Sequence, residues 1–123
     1  MRPSDPPASI VALAEALARA LTDDLSTPAL ENPEGWRLVA VTPRFFQIWR
    51  ALIELRTDTT SLGFLISPTD PAERAYRRTA RWDFVYFSED VPDPEQDRIY
   101  QRDRATIDRF ASWLEAWDRR TAA

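Results

Sequence analysis

The chain has no histidine, no cysteine and no lysine, and Gly35 and Gly63 are its only glycines. Each absence closes a class of chemistry. Without cysteine there is no thiolate nucleophile, no disulfide framework and no sulfur ligand for a metal. Without histidine there is no imidazole base, no hydrolytic triad and no ordinary zinc set. The missing lysine removes Schiff-base chemistry and the phosphate-gripping residue of a P-loop. Neither glycine follows a predicted strand in the way a phosphate-cradling loop requires. The remaining reactive inventory is Asp/Glu, Ser/Thr/Tyr and Arg, so no catalytic residue, no cofactor and no metal is expected.

Long apolar runs are also missing. The nearest to one, Ile10 to Leu21, is interrupted by Glu15 and Arg19 and is too short to span a bilayer, so no membrane partner is expected. The opening residues Met1 to Pro7 lack the basic start of a secretory signal, which with the absent cysteines points to a cytoplasmic location.

What is present argues for one packed domain over residues 1–123. The hydrophobic fraction is 44%, with five tryptophans and six phenylalanines, which predicts an aromatic-rich core. A net charge of −4 works against polyanions, so nucleic acid is not the expected partner. A protein partner or a second copy of the chain is.

A unit of apolar run, polar residue with proline, and helix-compatible stretch recurs three times. In the first, Leu38 to Val41 leads into Thr42-Pro43, a cap residue followed by a proline suited to a first helical turn. Phe45, Ile48, Trp49, Leu52, Ile53 and Leu55 follow at near-helical spacing. In the second, Leu62 to Ile66 leads through Ser67-Pro68-Thr69-Asp70-Pro71 to a short helix ending near Thr79. In the third, Trp82 to Phe87 leads through Ser88 to Pro92 to Asp93-Pro94-Glu95-Gln96 and an unbroken stretch to about Arg120.

This grammar predicts an α/β fold: a small three-stranded, parallel β-α-β-α-β-α layer with an extra N-terminal helix and a long C-terminal helix. The alternative is an α+β sheet with one antiparallel edge strand. The N-terminal helix, about Ala8 to Leu21, carries Ile10, Leu13, Leu17 and Leu21 on one stripe. Residues 1–7 are expected to be disordered and 26–35 to form a connector.

Three constellations stand out. In a parallel sheet, ligands bind beyond the carboxyl ends of the strands, where Ser67, Asp70, Ser88, Glu89 and Asp90 would form a ligand-binding site of hydroxyls and carboxylates. Helix capping is the competing role for Asp70 and Asp93. Arg74, Arg77, Arg78 and Arg81 form the one basic patch, an anion-binding candidate placed on one helical face, in a segment with eight arginines against five acids between Trp36 and Ser88. Phe110, Trp113 and Trp117 form an aromatic stripe on the last helix, either closing the core or serving as an interface.

The functional expectation is a small, acidic, non-enzymatic binding or adaptor protein, of inhibitor, immunity or chaperone type, acting through protein contacts as a homodimer. The alternative is a small enzyme or ligand-binding domain with its site at the strand ends.

Overall fold

The computed structural model describes residues 5–27, 30–91, 95 and 97–122. Helix α1 (Ala8–Asp24) is followed by strands β1 (Arg37–Phe46), β2 (Ile48–Arg56), β3 (Ser61–Pro68), β4 (Arg77–Arg78) and β5 (Trp82–Phe87), then helix α2 (Asp97–Thr121). The strands form one sheet in the order β1-β2-β3-β5-β4, and every pairing is antiparallel. This is an α+β fold. It overturns the three-stranded parallel layer and agrees with the α+β alternative, with antiparallel pairing throughout rather than at one edge.

The helix expected after Thr42-Pro43 does not exist; both residues lie inside β1. The chain reverses at Gln47, whose φ of 65° is left-handed, and Phe46 pairs with Ile48 across it. The apparent helical spacing of Phe45 to Leu55 is therefore two strands read as one element. Pro43 is tolerated because β1 is an edge strand. Thr69 donates to Arg81 at 2.9 Å, and carrying the alternation of antiparallel pairs across the sheet from there turns Pro43 to the open edge. Its missing N–H costs no ladder bond there.

The second expected helix is also absent, since residues 71–76 run as turns and coil. Asp70 does act as a local cap, its carboxylate accepting the Ala72 N–H at 3.0 Å, but no helix follows. At the third junction Asp93, Pro94 and Gln96 lie outside the described residues, so the cap expected at Asp93 does too. The N-terminal helix forms as its stripe dictates, with Ile10, Leu13, Leu17 and Leu21 buried. Residues 1–4 and 28–29, parts of the expected disordered start and connector, lie outside the described residues. In the described part of the connector Asn32 brackets Trp36, donating to its carbonyl at 2.8 Å and accepting its N–H at 2.9 Å.

Both helices cover the same face of the sheet, α1 over β1 and β2 and α2 toward β5. That face carries Ala51, Ile53 and Leu55 of β2, Leu62, Phe64 and Ile66 of β3 and Phe84 of β5, all in the core. Phe64 sits at its centre, with ring centroids 4.9 Å from Phe84 and 5.0 Å from Phe110 of α2. Each fully buried side chain of this set contributes about 1.5–3 kcal/mol. A straight α2 would overshoot the sheet, but it bends at Asp103, where φ is −121° and ψ 24°. Trp113 ties it to α1, its Nε1 donating to Asp24 at 2.7 Å.

Two arginines seat buried carboxylates. Arg81 donates through Nε to Asp118 and through Nη2 to the Asp118 carbonyl at 3.1 Å and Thr121 Oγ1 at 2.8 Å, fastening the end of α2 to the β4–β5 turn. Arg78 donates to Asp83 at 2.6 Å and to the Glu73 carbonyl at 2.8 Å, holding the loop before β4. Among the described residues no helix is long and apolar enough to cross a membrane.

Two stability predictions follow from this packing. A Cβ at Gly63 would lie 2.5 Å from Cε1 of Phe87, so Gly63→Ala should cost about 1–3 kcal/mol in denaturant unfolding, part of it regained with Phe87→Leu. An undiminished midpoint in Gly63→Ala would contradict this.

Burial works against ionisation of Asp118, yet the Arg81 hydrogen bond and charge bring its carboxyl below the usual carboxylate range. The Ser61 backbone N–H does the same for Asp90, followed by Arg102 and Ser88. A depressed carboxyl stabilises the fold above its unfolded pKa of about 3.9 and loses that contribution as pH falls through the folded value. Acid unfolding should therefore begin below about pH 4, and Asp118→Asn should flatten that limb while lowering stability at neutral pH.

Candidate binding surface

Antiparallel pairing separates the residues that a parallel sheet would have gathered. The C-terminal ends of β3 and β5 point in opposite directions, so Ser67 and Asp70 lie at one end of the sheet and Ser88, Glu89 and Asp90 at the other. The second group fastens the start of β3. Ser88 Oγ donates to the Ser61 carbonyl at 2.8 Å, Asp90 accepts the Ser61 N–H at 2.5 Å, and Glu89 lies 3.9 Å from Arg56.

The four patch arginines stand on a loop and the β4–β5 hairpin rather than on a helix. Arg78 and Arg81 are the structural clamps described above. Arg77 lies 3.8 Å from Asp108, and Arg74 is exposed and makes no ion pair among the described residues. Phe110, Trp113 and Trp117 are only 2%, 6% and 6% exposed and belong to the core; the two indoles stack 6.2 Å apart. Among the described residues no cluster of three or more Asp or Glu is placed to hold a metal ion.

The surface that no sequence pattern announced is the second face of the sheet, which no helix covers. Register places Thr42, Leu52, Leu65 and Val85 in one line across β1, β2, β3 and β5. A parallel line runs through Glu54, Gly63 and Phe87, and on the other side Arg44 stands directly opposite Arg50. Leu52 is only 3% exposed. The Arg44–Glu54 pair, 3.7 Å apart, spans the Thr42–Leu52 row lying between them in the register. Thr42 Oγ1 and Arg50 Nε are buried there without hydrogen-bond partners. Like charges directly opposite on a sheet face repel, and a buried donor left unpaired costs about 1–3 kcal/mol. This face therefore carries polar groups that the described residues leave unsatisfied.

At the β4 side of the sheet all three tyrosines meet. The rings of Tyr76 and Tyr86 are 5.1 Å apart, those of Tyr76 and Tyr100 5.5 Å, and those of Tyr86 and Tyr100 6.1 Å. Tyr76 donates to one oxygen of Asp108 at 2.5 Å and Tyr100 to the other at 3.4 Å. Burial first, then the Asp108 carboxylate, pushes the Tyr76 hydroxyl far above its ordinary value, and burial with the nearby negative groups raises Tyr86. Both stay protonated at neutral pH, so neither supplies a phenolate. Beside them opens a cleft of about 390 Å³ lined by Arg74, Ala75, Tyr76, Val85, Tyr86 and Asp97. The tyrosines are dispersed in sequence, and only the strand order brings them together.

No protein-family model matches the chain, and neither a curated protein nor a solved structure matches it significantly.

The tyrosine cluster yields one direct test. Replacing Asp108 by Asn removes the charge that opposes ionisation of Tyr76, so absorbance titration of the phenols should show one group moving down toward the ordinary value of about 10. An unchanged titration curve would mean that Asp108 does not govern it.

Proposed function

We propose that the protein is a non-catalytic binding module whose working surface is the open face of the sheet, and that it takes an acidic segment of a partner protein. The observation that carries this reading is the Arg44–Arg50 pair, two arginines directly opposite each other in the β1–β2 register on the face that no helix covers, beside the row of Leu52, Leu65 and Val85 and the neighbouring Phe87. A carboxylate seated between them relieves their repulsion and is held by bidentate hydrogen bonds. The apolar line supplies contact area, and arginine beside aromatic residues is the usual composition of interface anchors. The absence of an activated nucleophile among the tyrosines, and the use of buried carboxylates as arginine partners, both favour binding over catalysis.

A second reading has its own support. At the C-terminal end of β3 and the start of α1 lies an open groove of about 580 Å³, lined by Ile10, Phe45, Ile48, Trp49, Thr69 and Asp70 among others. Trp49 Nε1 and Thr69 Oγ1 are buried without partners. An apolar small molecule with a hydrogen-bonding group suits those walls, which would make the chain a ligand-binding domain.

The two readings separate in one experiment. In an NMR titration with a glutamate-rich peptide, amide shifts should map to Arg44, Arg50, Leu65 and Val85, and Arg50→Glu should abolish them while Arg104→Glu, an exposed change on α2, should not. Shifts confined to Trp49 and Thr69 would favour the groove, and no saturable shift at low salt would overturn the acidic-partner reading.

A further inference from the structure

The sheet has two edges, and they are not equally protected. Along β1 the outward-facing positions include Pro43, which has no N–H, and the register is broken by a bulge between Leu38 and Ala40. Both devices discourage strand addition. The other edge is only half covered. β4 pairs with Phe84 and Asp83 alone, and the chain before it leaves after Tyr76 donates to the Phe84 carbonyl at 2.9 Å. Because antiparallel strands alternate, the N–H and C=O of Tyr86 point to the same side as those of Phe84. Among the described residues no strand pairs with them there, and Tyr86 lines the cleft beside the tyrosines.

The charges at this cleft are self-complementary. It is lined by one cation, Arg74, and one anion, Asp97, both exposed and neither in an ion pair among the described residues. A two-fold interface brings each residue of one copy against the counterpart surface of the other, so one cation and one anion per copy become two ion pairs. An outward-facing residue on a strand edge is also what a two-fold strand pairing needs at its centre, since it exchanges both N–H···O=C bonds with its own copy.

We propose that two copies of the chain associate through the uncovered half of β5, with Tyr86 paired to Tyr86 of the second copy and Arg74 of each facing Asp97 of the other. The sheet then runs continuously through both protomers. The pairing spans only Val85 to Phe87, because β4 blocks its extension. The affinity is accordingly modest, with association in the micromolar range that buried tyrosine and arginine anchors supply to small interfaces. The open face used for the acidic partner meets this contact only at Val85 and Phe87, whereas the Arg44–Arg50 pair that carries the first proposal lies on β1 and β2, so the two proposals are tested separately.

Sedimentation equilibrium from micromolar to millimolar concentration tests it on the full chain. The wild type should dimerise, and Arg74→Asp and Asp97→Arg should each weaken the dimer by on the order of a hundredfold, since each places like charges together. The double exchange Arg74→Asp with Asp97→Arg should restore it. Amide exchange at Tyr86 should slow with rising protein concentration in the wild type only. A monomer throughout the range, or a dimer indifferent to both single reversals, would overturn the proposal. Circular dichroism of each variant separates loss of association from loss of fold, and a folded double exchange that stays monomeric also counts against it.

Discussion

One-sided burial of an antiparallel sheet is the constraint from which the rest of this molecule follows. Both helices lie on one face, so each strand must be apolar at every second residue toward them and is free in composition on the other side. Phe64, wedged between Phe84 and Phe110, marks the point where strand, neighbouring strand and helix α2 share one contact. The bare face is the consequence. Arginines, glutamate and an apolar line can gather there because no helix demands otherwise.

Arginine does most of the polar joining. With no lysine in the chain, each buried carboxylate that needs a cation receives a planar group able to bond in several directions at once. Arg81 reaches Asp118, its carbonyl and Thr121 together, and Arg78 joins Asp83 to the loop at Asp70 and Glu73. Patch residues that look alike in sequence thus divide. Two are consumed in holding α2 and the loop, while Arg74 lines the tyrosine cleft and Arg77 pairs with Asp108 beside it.

The helix α1 was legible because its stripe repeats at a period no strand shares, and the aromatic stripe of α2 was legible for the same reason, but whether Phe110, Trp113 and Trp117 close the core or form an interface was decided by their burial. The middle of the chain was not. Phe45 to Leu55 imitates a helix because two strands joined at Gln47 place apolar residues on both sides of a turn that no glycine marks. Proline after a polar residue reads as a helix start at Thr42-Pro43, yet at an outward edge position it fits a strand equally well. Of the candidate sites, the arginine patch was visible as a local cluster. The Arg44–Arg50 face and the tyrosine cleft were not, since register and strand order bring those residues together.

The sequence by itself determined which residue types are available for chemistry and the apolar stripes of the first and last helices, because composition and local periodicity are properties of the chain. Tertiary structure decided strand direction, and with it whether Ser67 and Ser88 share an end, which arginines are free and where the tyrosines meet. Direction depends on how distant segments pair, and a short apolar run carries the same residues whether its neighbour lies parallel or antiparallel.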